Sequence, residues 1–198
     1  AAANTLTELG ETGPVRAFAT TLLGDTESAS RRYRSLFRKL LANAKDEVAA
    51  LLEADVAEAI KILVVYALGR SGDYAFAEPI AAAARRGGEP LRLEAYRALA
   101  TLGHPAALPF VEEGLSDPSW RVRAEAATCA GHAGLVEAEP SLVAHLDDAI
   151  WWVRLRAAEA LYRLGEAGRQ SLADHSNSNS PGAAVAGQVL REQTFMAQ

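Results

Sequence analysis

The sequence has little cysteine and no long apolar run. Cys129 is its only cysteine, which excludes an intramolecular disulfide and fits a reducing compartment. No apolar run reaches the roughly 18 residues that a membrane-spanning helix needs, and no signal-peptide pattern is present. We therefore expect a cytoplasmic protein. Because the chain lacks an initiating Met, we also expect a domain of a larger protein, whose other segments could tether it to a membrane.

Positive charge and catalytic patterns are also scarce. The 20 basic residues are outnumbered by 25 acidic ones, so the net charge is −5. This argues against nucleic acid as a partner, because duplex-binding proteins usually carry a basic face. The four histidines share no metal-ligand spacing with one another or with Cys129, and there is no phosphate loop or nucleophile elbow. We therefore expect no enzyme activity, no metal and no cofactor.

Internal repetition is what the sequence has in abundance. Apolar residues at i, i+4, i+7, i+8 and i+11 form one helical face in three segments, and a glycine that can end a helix follows each. Successive copies are 31 residues apart, which predicts a stacked array of helical hairpins. The copies, which we call B helices, are Glu89–Gly103, Trp120–Gly134 and Trp151–Gly165.

Shorter A helices are expected before the B helices. Each contains a proline, which requires the helix to start late or bend. The predicted A helices are Tyr74–Arg86, Pro105–Leu115 and Val136–Leu146. A fourth B helix is predicted at Asp55–Gly69, with Gly69 aligned to the helix-ending glycines. The polar segment Asp174–Gly182 is expected to be the most mobile loop.

Together these elements predict a single all-α domain over residues 1–198. It would be an α-α superhelix (α-solenoid) of about six helical hairpins. Clear repeats are expected over 55–165, with degenerate capping repeats over 5–54 and 166–198, because terminal repeats must close the core.

The repeated elements resemble a known family. Asp117-Pro118 with Val122-Arg123, and Val153-Arg154 with Leu164-Gly165, resemble HEAT repeats, and more narrowly the short HEAT-like repeats of the phycobilisome-lyase type. The resemblance implies a solenoid whose B helices line its concave side. It implies a non-catalytic scaffold that binds a protein partner there. The alternative is a bilin lyase-type enzyme or enzyme subunit. A HEAT-like nucleic-acid-binding protein is disfavoured, because each predicted concave face mixes Glu with Arg.

The B-helix face that points away from the core does not repeat, so we expect a partner to bind there. Trp152 projects from it among arginines, and this composition is enriched at binding hot spots. The alternative is that Trp152 packs against the last helix pair. Trp120 and Trp151 share one repeat position, which indicates packing between repeats. The predicted partner-binding residues are Trp152, Arg156, Arg163, Arg121, Glu125 and Arg97.

Two further sets of basic residues each have two interpretations. The in-register set is predicted to form a structural ladder to Asp117, Asp148 or backbone carbonyls, or else an anion-binding stripe; its members are Arg92, Arg123 and Arg154. The second set lies on one amphipathic helix. It is either a solvated outer face or a patch for an anionic membrane or an acidic partner; its members are Arg31, Arg32, Arg34, Arg38 and Lys39.

Overall fold

The computed structural model describes residues 45–196, except for the side chains of Ala106 and of residues 193–196. Every regular element in this range is helical, as the all-α prediction requires. The first predicted hairpin and the basic cluster at 31–39 lie outside the described residues. The α-helices are α1 (Lys45–Ala50), α2 (Glu58–Gly69), α3 (Ala77–Arg86), α4 (Glu89–Leu102), α5 (Leu108–Leu115), α6 (Trp120–Ala133), α7 (Glu139–His145), α8 (Trp151–Arg163), α9 (Glu166–Ser176) and α10 (Ala183–Met196).

The helices alternate as A and B helices. The pairs are α1 with α2, α3 with α4, α5 with α6, α7 with α8, and a final pair of α9 with α10. The described residues divide into two compact units, with the boundary between Leu102 and Gly103. In the first unit, α2 and α3 both pack on α4. In the second, α6 packs on α8, and α9 and α10 cover another side of α8. The single domain over 1–198 remains a prediction.

The prolines explain how the A helices begin. Short 3₁₀ turns at Tyr74–Phe76, Pro105–Ala107 and Val136–Ala138 come first, and α3, α5 and α7 follow them directly. The recurring prolines then fall in the first turn of each α-helix, where the missing N–H needs no helical partner. They are Pro79, Pro109 and Pro140. The predicted late start of the A helices is confirmed.

The glycine register is longer than the sequence pattern indicated. Four glycines spaced 31 residues apart adopt a left-handed conformation that glycine tolerates. Their φ values are 72° at Gly72, 64° at Gly103, 65° at Gly134 and 95° at Gly165. The alignment of Gly69 with the helix-ending glycines is therefore wrong, because Gly72 holds that place.

Gly69 serves close packing instead. It is the last residue of α2, and a Cβ added there would lie 2.5 Å from the Cβ of Ala98 on α4. Gly131 of α6 stands in the same relation to Ala160 of α8, whose Cα would be 2.7 Å from an added Cβ. Small residues at these two contacts let neighbouring B helices approach closely within each unit.

Cys129 provides a test of the core. Its thiol is buried on α6, and burial, followed by the negative charge of Glu125, raises its pKa to about 12. Because the thiolate is the reactive form, we expect iodoacetamide at about pH 8 to leave the native protein unlabelled. Unfolding in guanidinium chloride should give one label per chain by mass spectrometry. Equal labelling rates in the two states would contradict the buried position.

Candidate partner-binding surface on the B helices

Two neighbouring B helices of the second unit present matched rows of side chains. Each row follows the spacing i, i+4, i+7 and i+11, which places its members on one helix face. Corresponding members are 31 residues apart. The row on α6 is Arg121, Glu125, Thr128 and His132, and the row on α8 is Trp152, Arg156, Glu159 and Arg163.

The structure brings the C-terminal halves of these rows together in one groove, which we call the α6–α8 groove. Its lining residues are Thr128, His132, Arg156, Glu159, Ala160 and Arg163. Nη1 of Arg156 donates to Oε2 of Glu159 at 2.7 Å. Arg163 is exposed, and its side chain makes no hydrogen bond or ion pair with any residue in the range 45–196. The groove therefore combines one internally neutralised pair with one available guanidinium group.

The groove has a positive local field although the protein is acidic overall. The pKa of His132 is lowered, first by partial burial and then by the positive charges of Arg163 and Arg156. Glu125 and Glu159 oppose this shift without reversing it. His132 is therefore mostly neutral at neutral pH, since its ordinary pKa is already near 6.5. The charged residues of the lining are Arg156, Arg163 and Glu159, which give the groove a net positive charge.

The tryptophans lie at the N-terminal end of the same helices. Trp151 is 41% exposed and Trp152 is 49% exposed. Their rings meet edge to face, with centroids 4.9 Å apart. The alternative in which Trp152 is buried against the last helix pair is therefore wrong. The prediction that Trp151 packs between repeats, made from the repeat position that it shares with Trp120, is also wrong, because Trp151 is exposed. Trp120 is half-buried, and the Arg121 guanidinium is 5.4 Å from its ring centroid.

The first unit contributes one predicted site residue. Arg97 lies on α4 and is 3.9 Å from Glu94, its neighbour one turn earlier. Glu94 is 31 residues before Glu125, so the register predicts that it points outward, but only 7% of it is exposed. Helix periodicity assigns a direction to a side chain without showing what covers it. The part of Arg97 in partner binding stays a prediction.

The in-register arginines are engaged with the turns that precede their helices. Nε and Nη2 of Arg123 donate to the two carboxylate oxygens of Asp148 at 2.8 and 3.1 Å, and Nη1 donates to the carbonyl of Asp117 at 2.9 Å. Arg92 and Arg154 likewise donate to the carbonyls of Gly87 and Asp148. These contacts are those of a structural ladder and disfavour an anion-binding stripe.

The ladder lacks an acidic partner for Arg154 among the described residues. Nε of Arg154 is buried and has no hydrogen-bond partner among the described residues. Asp117 and Asp148 are 31 residues apart, but the next position in that register is Asn179. The carboxylate that would receive the Arg154 side chain is therefore missing from the sequence.

A Ser-His-Asp group joins the turn before α8 to the C-terminal end of α9 and the segment that follows it. Asp147 Oδ1 is 3.2 Å from Nε2 of His175, and the Ser180 hydroxyl oxygen is 2.7 Å from the same nitrogen. A catalytic relay needs the two imidazole nitrogens to face different partners, so this geometry does not form one. Asp147 also accepts from the backbone N–H of Gly182 at 2.9 Å. The Asp174–Gly182 segment, expected to be mobile, is thus tied down by hydrogen bonds.

The described range also bears on metal binding and on membrane insertion. No cluster of three or more His, Cys, Asp or Glu side chains within it could hold a metal ion. No helix of residues 45–196 is long and apolar enough to cross a membrane.

Thr128, His132 and Glu159 also line the groove, although they are not among the predicted partner-binding residues. The signal that could have found them is the register itself. With the 31-residue register, Thr128 on α6 corresponds to Glu159 on α8, and His132 corresponds to Arg163. The groove then follows from the small residues, Gly131 and Ala160, between the helices.

Comparisons with known proteins agree with this architecture. Residues 111–191 match the family model of HEAT repeats. The narrower resemblance to phycobilisome-lyase repeats is not confirmed. No curated protein matches the chain.

Two similar solved structures come from protein engineering. The crystal structure of an engineered protein has a TM-score of 0.59 at 15% identity, covering 98% of this chain and 96% of that chain. A designed armadillo repeat protein in complex with the peptide (KR)4 has a TM-score of 0.55 at 20% identity, covering 88% of this chain and 99% of that chain. These likenesses show the fold, an all-helical solenoid of the armadillo and HEAT type.

Proposed function

We propose that this protein is a non-catalytic interaction module that binds a segment of a protein partner on the outward face of α6 and α8. The observation that carries the proposal is the exposed Trp152 in line with Arg156 and Arg163. Leaving a large aromatic side chain in water forgoes the favourable free energy of its burial. Trp and Arg are also the residues most enriched at binding hot spots.

The fold is suited to this role. Helical repeat arrays present side chains of successive helices on one continuous surface. In the designed armadillo repeat protein, the structure contains a bound peptide. A peptide-binding role for the present chain is an inference from that likeness and from its own exposed residues.

A catalytic role gains no support from the described chemistry. The thiol of Cys129 is buried with a pKa near 12, and the Ser180 hydroxyl shares one imidazole nitrogen with Asp147. Neither group is activated as a nucleophile. We therefore favour binding over the lyase alternative that the sequence left open.

Site-specific photo-crosslinking tests the proposed function. A photoreactive amino acid would replace Thr128 in the α6–α8 groove, and the variant would be irradiated in cells of the source organism. We expect partner crosslinks that decrease at least about tenfold when Trp152→Ala and Arg163→Ala are added, since hot-spot losses reach 2 kcal/mol or more.

The matched control places the same photoreactive residue at Val136. This side chain is 56% exposed and belongs to the 3₁₀ turn before α7 of the same unit, not to either row. Crosslinks of equal yield from both positions, or yields that ignore the Trp152 and Arg163 substitutions, would refute the proposal. Circular dichroism of each variant would verify that the helices remain folded.

A further inference from the structure

The surface has chemistry at its two ends that specifies what kind of peptide it takes. Resting on the function proposed above, we infer that its occupant is an extended segment with an aromatic or large apolar residue and a carboxylate about five residues apart. The apolar residue contacts the Trp151–Trp152 pair, and the carboxylate binds Arg163.

The spacing follows from the geometry of α8. Trp152 and Arg163 are eleven residues apart on one face of the helix, so their Cα atoms are separated by about 16 Å along the axis. An extended peptide advances by roughly 3.3 Å per residue. A segment lying along the α8 row from Trp152 to Arg163 therefore spans this distance with about five residues. A segment crossing the two helices instead would meet the apolar and positive ends at a shorter spacing.

The available charge selects a carboxylate. Three arginines face two glutamates over the rows, and Arg156 is already paired with Glu159 at 2.7 Å. Arg163 has no ion-pair partner among the described side chains, and its planar guanidinium suits bidentate binding of a carboxylate. The pairing of Arg156 with Glu159 leaves Arg163 as the arginine of the groove lining that has no carboxylate partner among the described side chains. One acidic residue at the Arg163 end fits better than an evenly acidic peptide.

The neutral state of His132 agrees with this polarity. Two arginines and one glutamate line this part of the groove, so its lining has a net positive charge. Burial first, and then Arg163 and Arg156, lowers the pKa of His132. A lysine or arginine of the ligand placed there would meet the same repulsion. The ligand chemistry is thus opposite to the (KR)4 peptide held by the designed armadillo repeat protein.

Fluorescence anisotropy with defined peptides tests the inference. The probes would be labelled Gly/Ser peptides that carry one Trp and one Glu, with the spacing varied from two to seven residues in both orders. We expect the tightest binding at a spacing of about five, and about tenfold weaker binding when Lys replaces Glu, as a charge-assisted hydrogen bond requires. The (KR)4 peptide should bind more weakly than the best Glu peptide.

Charge reversal provides the decisive comparison. Arg163→Glu should invert the preference, so that the Lys peptide binds more tightly than the Glu peptide. Trp152→Ala should weaken both by a similar factor of about thirty. Arg169→Ala serves as the matched control, because Arg169 is on α9 of the same unit and already pairs with Glu166 at 2.9 Å.

The outcomes separate this inference from the proposed function. A best spacing of three residues or fewer, an unchanged preference in Arg163→Glu, or no binding by any Glu peptide would overturn the inferred ligand. If crosslinking from position 128 still depends on Trp152 and Arg163, the interaction module stands and only its ligand chemistry is wrong. Loss of that crosslinking dependence would instead remove the function on which the inference rests.

Discussion

Replacing Gly168 with alanine is expected to destabilise the protein by about 3 kcal/mol, the upper part of the usual range for overpacking. Gly168 lies in the first turn of α9, where a Cβ would overlap the carbonyl oxygen of Leu161 and stand 2.8 Å from its carbonyl carbon. These are backbone atoms of α8, so no side-chain rotation can relieve the overlap. The higher helix propensity of alanine recovers only about 1 kcal/mol, which is included in the expected net loss.

Urea unfolding followed by helical circular dichroism would measure the effect. For a chain of this length, the loss corresponds to a decrease in Tm of about 6–12 °C. Gly134→Ala is the matched control, because Gly134 has φ of 65° but an added Cβ would meet no described atom within 4 Å. That variant should lose about 1 kcal/mol through backbone strain alone. Equal stabilities of the two variants would show that α9 is not held against α8 as described.

Removing the Arg123 side chain is expected to lower the free energy of unfolding by about 3 kcal/mol, the loss typical when one partner of a buried ion pair is deleted. Asp148 is 9% exposed and Arg123 is 17% exposed at the side chain. The substitution Arg123→Ala would leave this carboxylate buried without its bidentate partner. It would also free the carbonyls of Asp117 and Pro118, which Nη1 now binds.

The same pair predicts an acid dependence. Burial raises the pKa of Asp148, but hydrogen bonds from Arg123 and from the Ile150 backbone N–H outweigh it and lower the pKa below its ordinary value. The stabilisation is therefore present above the ordinary Asp pKa, near 3.9, and is lost as pH falls through the lower folded-state value. Stability of Arg123→Ala should fall less steeply over that window.

Urea unfolding at several pH values would check both effects. Arg154→Ala is the control, because Arg154 donates to turn carbonyls without a carboxylate partner and should cost only about 1 kcal/mol. A double-mutant cycle with Asp148→Asn isolates the pair. If Arg123→Ala and Arg154→Ala have the same stability and the same pH dependence, the ion pair contributes nothing measurable.

The helices themselves could be predicted well from the sequence. The 3.6-residue apolar pattern of the B helices and the prolines of the A helices act over a few residues, so local reasoning is sufficient to find them. Glycine was harder to interpret, because Gly72 adopts a positive φ in the turn after α2, whereas Gly69 at the end of α2 permits close packing. The two roles differ only in the surrounding structure.

For the candidate site, the sequence predicted which helix face each side chain occupies but not how far neighbouring helices bury it. Periodicity placed Trp152, Arg156 and Arg163 on one face, and they do follow one another along α8. It could not show that Glu94 would be buried or that Trp151 would be exposed, because both depend on which neighbouring helices cover them. The hydrogen bonds that hold the Asp174–Gly182 segment join positions about 30 residues apart, beyond the reach of local composition.

The unpartnered Nε of Arg154 has a consequence for how the chain could change in length. A duplicated copy of residues 135–165 inserted after Gly165 would bring a new aspartate to position 179, the place of the missing carboxylate. The contact between successive repeats thus joins an arginine donor of one copy to an aspartate acceptor of the next, as Arg123 and Asp148 do. The Nε donor on α8 has no partner among the described residues, so a whole module inserted after α8 would create a stabilising contact at the junction.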